Sequence, residues 1–84
     1  MSRPDREQMR NAARAVVSSM VGHSVEDSES LISSGLIDSL AILKMITKLE
    51  GELDIHLPPA LLQPDDFETI DITVETLERV GKPR

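Results

Sequence analysis

Few side chains in this sequence are of a type that does chemistry, and their spacing narrows the choice further. His23 and His56 are the only imidazoles, and neither has a nucleophile or ligand at a usual motif spacing, so each reads as a surface or loop-packing residue. The absence of cysteine removes thiolate catalysis, zinc–thiolate sites and disulfides. The acidic residues are spread along the chain, whereas the paired acids of glycosidases face one another across a shaped cleft. Asp65-Asp66 with Glu68 lacks the alternating ligands and the glycine of a calcium loop. Ser39 is different. It stands in Leu36-Ile37-Asp38-Ser39-Leu40, just after Gly35, where a loop turns into a helix. A serine there is exposed by geometry, and the free N–H groups and positive dipole end of the helix favour an anion attached to it. A phosphate ester would be stabilised by about 0.3–1 kcal/mol. Asp38 would partly oppose that charge, and its place is explained by capping or by contact with a metal of a modifying enzyme. On the tripeptide Asp38-Ser39-Leu40 alone, a plain helix start is the better reading.

Helices must position these residues. Met9, Ala12, Ala13, Val16, Val17 and Met20 recur at three-and-four spacing and predict a first helix. Ser2 is the expected cap, Pro4 is tolerated in the first turn, Asp5 and Glu7 suit the dipole, and Gly22 is the stop. Arg6, Arg10 and Arg14 fall on a polar stripe, read as a solvated face. Residues 23–38 form a long connection, and loops of such length are often functional. Leu31, Ile32 and Leu36 are expected to hold it to the core, while Gly35 permits a left-handed turn. A second helix opens with Asp38 as cap and Ser39 at its first position. Leu43, Ile46 and Leu49 share its inner face, Ile42 and Leu53 lie beside it, and Lys44, Thr47 and Lys48 lie away from it. Pro58-Pro59 cannot continue a helix. Asp65 to Ile70 predicts a brief third helix, and Asp71 or Thr73 is expected to cap a last one with Val74, Leu77 and Val80 inward. Leu53 to Leu57 is the only strand candidate, a weak one, and Gly81 to Arg84 is expected to fray. The sum is an all-α fold: a small four-helix bundle of three longer helices and one short helix, with a long loop between helices one and two.

With 84 residues, 39% hydrophobic and 29% charged, one domain is expected over residues 1–84, its core at about 5–80. Phe67 is the sole aromatic, and so thin a core does not enclose a deep substrate pocket. A net charge of −6 repels nucleic acid and anionic lipid and suits partners with basic docking surfaces. No apolar run approaches the roughly 20 residues of a membrane span, and the start lacks the order of a signal peptide. A monomeric, cytoplasmic chain is expected, and the initial Met with two short ends favours one that acts independently.

Gly35-Leu36-Ile37-Asp38-Ser39-Leu40 closely resembles the phosphopantetheine attachment motif of acyl and peptidyl carrier proteins. The resemblance continues beyond it. The order of amphipathic helix, long loop and serine-led second helix is similar to that family's. Leu53-Asp54-Ile55-His56-Leu57-Pro58 resembles its segment after helix two, and Phe67-Glu68-Thr69-Ile70 resembles its short third helix and the Thr leading into the fourth. Together these cover roughly residues 5 to 80.

The resemblance implies a non-catalytic carrier. Ser39 would receive 4'-phosphopantetheine from coenzyme A, through a phosphopantetheinyl transferase acting with magnesium. The transferase can supply positioning and charge neutralisation, so the carrier needs no general base of its own. The arm would end in a thiol that bears cargo as a thioester. An adenylating ligase or other acyl-loading ligase, or an acyltransferase, would load it, and downstream synthase or tailoring enzymes would use it. Leu40 matches a partner-facing position, with core packing an equal alternative. Helix two is the family's docking surface, and here it departs from the acidic fatty-acid type: Lys44 and Lys48 are its only charges between Ser39 and Leu49. Acidic residues gather instead at Asp65, Asp66, Glu68, Asp71, Glu75 and Glu78. Complementary charge chiefly sets encounter rate and excludes wrong partners, so a dedicated polyketide, nonribosomal peptide or aminoacyl-transfer pathway is expected over primary fatty-acid synthesis. The rivals are an unmodified helical adaptor, the fatty-acid carrier itself, and a small regulatory domain phosphorylated on Ser39 or on a serine of residues 24 to 34.

Overall fold

The computed structural model describes residues 4–84. Three α-helices carry the fold: α1 over Arg6–Val21, α2 over Ser39–Leu53 and α3 over Ile70–Val80, with α1 packed against both others. Two 3-10 turns, Pro59–Leu61 and Pro64–Phe67, fill the connection from α2 to α3. The short third helix expected over residues 65–70 is therefore a 3-10 turn. Pro64 begins it and Thr69 already caps α3, which leaves too little chain for an α-helical segment.

The caps explain where each helix starts. Asp5 caps α1: its carboxylate accepts the Gln8 N–H at 2.8 Å while the Gln8 side chain accepts the Asp5 N–H at 2.9 Å. That reciprocal pair satisfies two donors at once. Ser2, the expected cap, lies outside the described residues. Gly22 ends α1 in the left-handed region at φ 86°. At α3 the cap is Thr69, whose Oγ1 accepts the Ile72 N–H at 3.0 Å. Asp71 and Thr73, the two expected caps, fall inside the helix, with Thr73 buried and donating to the Thr69 carbonyl.

Met9, Ala13, Val16 and Val17 of α1 meet Val74, Leu77 and Val80 of α3 around a fully buried Phe67. From α2 the buried residues are Ile42, Met45 and Leu49, not the expected stripe of Leu43, Ile46 and Leu49. The long loop enters the core through Leu31 and Ile37, with Ile32 half-buried; Leu36, expected as an anchor, is 39% exposed.

The arginine stripe of α1 is not simply solvated. Arg10 Nη1 donates to Asp27 Oδ2 at 2.8 Å and to Asp71 Oδ1 at 2.5 Å. Arg14 grips Asp27 with Nε at 2.8 Å and Nη2 at 2.7 Å, and Arg6 pairs with Glu78. Asp27 belongs to the loop and Asp71 to the first turn of α3, so the stripe ties three segments together. Hydrogen bonds from Arg14, then Arg10, hold the Asp27 carboxyl below the usual carboxylate range despite its partial burial.

The chain's end is also ordered. β1 (Ile55–His56) pairs antiparallel with β2 (Lys82–Pro83), Ile55 opposite Pro83 and His56 opposite Lys82. The weak strand signal is thus realised, and the tail expected to fray is half of a two-stranded ribbon. Gly81 makes this possible. A Cβ there would lie 2.5 Å from the Leu77 carbonyl oxygen and 3.2 Å from Ile55 Cδ1, so a side chain would block the turn from α3 into β2. Glu50 secures the other strand, accepting the Leu57 N–H at 2.9 Å, with His56 Nδ1 at 3.3 Å. No helix among the described residues is long and apolar enough to cross a membrane.

Candidate functional site

The site begins with a turn. Gly35 adopts φ 82°, its N–H bonds the Ile32 carbonyl at 3.0 Å, and the Ile37 N–H bonds the Leu31 carbonyl at 2.9 Å. Only glycine reaches that φ without a Cβ penalty. The turn delivers Asp38 in an extended conformation, where its Oδ1 accepts the Ala41 N–H at 2.8 Å and its carbonyl accepts the Ile42 N–H at 3.0 Å. Asp38 is thus the cap of α2, as its sequence position implies. It has a structural role whatever else it contacts.

Ser39 is the first residue of α2 and is exposed. Among the described residues nothing hydrogen-bonds its hydroxyl. The N–H groups of Ser39 and Leu40 leave the helix end with no intrahelical acceptor, as the first donors of any helix do. A group esterified to this oxygen meets no wall, and its phosphate would sit at the positive end of the helix dipole. The residues present therefore fit a covalently attached phosphopantetheine.

Apolar side chains close to Ser39 in the sequence stay at the surface instead of burying themselves. Leu40 is 73% exposed, Leu43 63% and Leu36 39%. Leu40, for which core packing was an equal alternative to a partner-facing position, is not packed in the core. Leu43 and Leu36 join it at the surface, which the helical period did not indicate. The cause is a roll of α2. At about 100° per residue, the Ile42–Met45–Leu49 stripe is turned roughly 70° from the Leu43–Ile46–Leu49 stripe. The lysines favour the second stripe, because it lies opposite them, but the fold buries the first. Two leucines are left facing solvent beside Ser39.

Lys44 and Lys48 are both exposed, but they stand at different distances from the serine. Lys44 is five positions along α2, about 7.5 Å of helix rise, and shares the outer face with Leu40 and Leu43. Lys48 is about 13.5 Å along and lies at the edge facing α1, beside Ala15, Ser19 and Glu52. Leu40 adjoins Ser39, Lys44 lies about one and a half turns further along α2, and Lys48 is more distant still.

The acidic cluster expected on the closing segment is largely engaged. Asp66 pairs with Arg79 at 3.0 Å, Asp71 with Arg10, and Glu78 with Arg6. Glu68 accepts bonds from Ser30 and Ser33. Of the six acids, only Asp65 and Glu75 have no such side-chain partner among the described residues. An open groove of about 550 Å³ lies at the far end of α2, lined by Gln8, Asn11, Ala12, Glu52, Leu53 and Arg84 among others. It is roughly 20 Å of helix away from Ser39.

Comparison with known proteins places the chain in a family. Residues 11–77 match the family model described as the phosphopantetheine attachment site. The D-alanyl carrier proteins of Lactococcus lactis subsp. cremoris strains MG1363 and SK11, and of subsp. lactis strain IL1403, are each 38% identical over 39 residues, 46% of this chain and 49% of theirs. The chain spans about half the length of the curated relatives it matches. The family match covers most of the sequence and includes Ser39. The chain belongs to the phosphopantetheine-binding family of acyl and peptidyl carrier proteins, non-catalytic carriers with a covalently attached 4'-phosphopantetheine.

Proposed function

We propose that Ser39 is the attachment serine and that the protein is a dedicated-pathway carrier of acyl, aminoacyl or peptidyl units. The observation that carries this is the exposed Ser39 hydroxyl at the start of α2, without a hydrogen-bond partner among the described residues, with exposed Leu36, Leu40 and Leu43 close to it in the sequence. When attached, the arm supplies a terminal thiol that holds cargo as a thioester. The chain's own residues present and recognise. Asp38 fixes the start of α2 by capping it, so the modified oxygen leaves the bundle in one direction. The exposed leucines offer apolar contact to a transferase, a loading ligase or acyltransferase, and downstream enzymes, while Lys44 biases that choice by charge.

Among possible cargoes the aminoacyl class has the most support, because the partial relatives are named for D-alanine. Lysines on α2 where the fatty-acid type is acidic support a dedicated partner over fatty-acid synthase enzymes. The expected site of action is the cytoplasm, as a monomer. Tethering raises the effective concentration of cargo at each docked active site.

Intact mass spectrometry after incubation with coenzyme A and a broad-range phosphopantetheinyl transferase tests the assignment. One phosphopantetheinyl increment is expected for the wild type and none for Ser39→Ala. An increment that persists in Ser39→Ala overturns it.

A further inference from the structure

The loop that delivers Ser39 is wound around one carboxylate. Glu68, between the second 3-10 turn and the cap of α3, accepts hydrogen bonds from the Ser30 hydroxyl, from the Ser33 hydroxyl at 2.8 Å and from the Ser33 N–H at 3.2 Å. Its own carbonyl accepts the Leu31 N–H at 2.7 Å. Ser34 Oγ then donates to the Ser30 carbonyl at 2.6 Å, and the Ile37–Leu31 bond closes the turn one residue before Asp38. Among the described residues, Glu68 is the one side chain from outside the loop that hydrogen-bonds the 30–34 turn directly.

We propose that Glu68 is a positioning residue for the modification of Ser39: its carboxylate holds the 30–37 turn in the one arrangement in which Leu36 and Ser39 are presented together. The inference rests on Ser39 being the modified serine. Leu36 is 39% exposed, so its own burial holds it beside the serine only in part. With the clamp gone, Leu31 and Ile37 still anchor the ends of the turn in the core, so the fold persists while the segment between them samples other arrangements. A partner that requires the presented arrangement then binds with its affinity reduced by the fraction of chains that adopt it. Once bound, the chemistry on the Ser39 hydroxyl is unchanged. The effect therefore belongs in KM and not in kcat. The Ser30 and then the Ser33 hydrogen bonds also keep the Glu68 carboxyl below the usual range, so the clamp is charged wherever the protein is folded near neutral pH.

The test measures transferase kinetics on wild type, Glu68→Ala, Glu68→Gln and Val80→Ala, with coenzyme A saturating and the temperature well below every Tm. Glu68→Ala should raise KM for the carrier at least fivefold with kcat within twofold, and speed hydrogen exchange at the Ser33 and Ile37 amides at least tenfold. Glu68→Gln keeps one acceptor oxygen but loses the charge, and should fall between wild type and Ala. Val80→Ala destabilises α3 at its far end and should leave KM unchanged. A KM for Glu68→Ala within twofold of wild type, an effect confined to kcat, or an equal rise in Val80→Ala overturns the proposal. Ser39→Ala, run in parallel, keeps the two inferences apart. Loss of modification there with no KM change in Glu68→Ala removes the clamp alone; modification that persists there removes the site and the clamp with it.

Discussion

At Ser39 the important property is what the hydroxyl does not do. It bonds nothing among the described residues, so its loss should cost the bundle little. Leu40 and Leu43 carry the same signature, being 73% and 63% exposed. Replacing either with Ala is expected to change stability by less than about 0.5 kcal/mol, as for other surface positions. Loading by the native partner should nonetheless fall several-fold, measured as initial rates of cargo transfer beside thermal melts of the same proteins. Leu49→Ala should do the reverse, lowering stability by about 2–5 kcal/mol at a fully buried position. Were Leu43→Ala to destabilise as much as Leu49→Ala, the observed roll of α2 would be wrong and the stripe of Leu43, Ile46 and Leu49 would be the inner one.

The 23–38 connection shows how a long loop can be held without secondary structure. Its two apolar anchors, Leu31 and Ile37, are supplemented by two carboxylates, Asp27 with Arg10 and Arg14, and Glu68 with Ser30 and Ser33. Both carboxyls titrate below their usual values in the folded protein. Such groups contribute stability in full above the unfolded-state values, about 3.9 for Asp and 4.3 for Glu, and lose it as pH falls through the lower folded values. Tm should therefore drop on acidification below about pH 4.5, and Asp27→Asn should flatten the drop while lowering Tm at neutral pH. A wild-type profile no steeper than that of Asp27→Asn would remove Asp27 from the account. Gly35→Ala probes the same loop through its backbone. No neighbour would meet the new Cβ, so the expected loss of about 1–2 kcal/mol is the left-handed penalty alone.

Across the whole molecule, charge is divided between holding and choosing. Arg6, Arg10, Arg14 and Arg79 are taken up by Glu78, Asp27, Asp71 and Asp66. Lys44 makes no ion pair among the described residues, so it remains available to a partner. Lys44→Glu should slow loading by the native partner at low salt, with the difference shrinking as salt screens it, and Lys48→Glu should matter less. A loading rate unmoved by Lys44→Glu across that range would take the residue out of recognition. Gly81→Ala should cost about 1–3 kcal/mol through the clash with the Leu77 carbonyl, read as a lower melting temperature. Much of this was legible beforehand. Helical period, the Asp38-Ser39 start, Gly22 and Gly35 are local signals, and local chemistry is enough to place α1, the entry to α2 and the exposed serine. Three things were not. The face of α2 that is buried, the partners of the arginines, and the pairing of the last residues with Ile55 each depend on segments far apart in the chain. Where a helix is apolar on more than one side, its period permits several rolls, and only the shape of the neighbours it packs against selects among them.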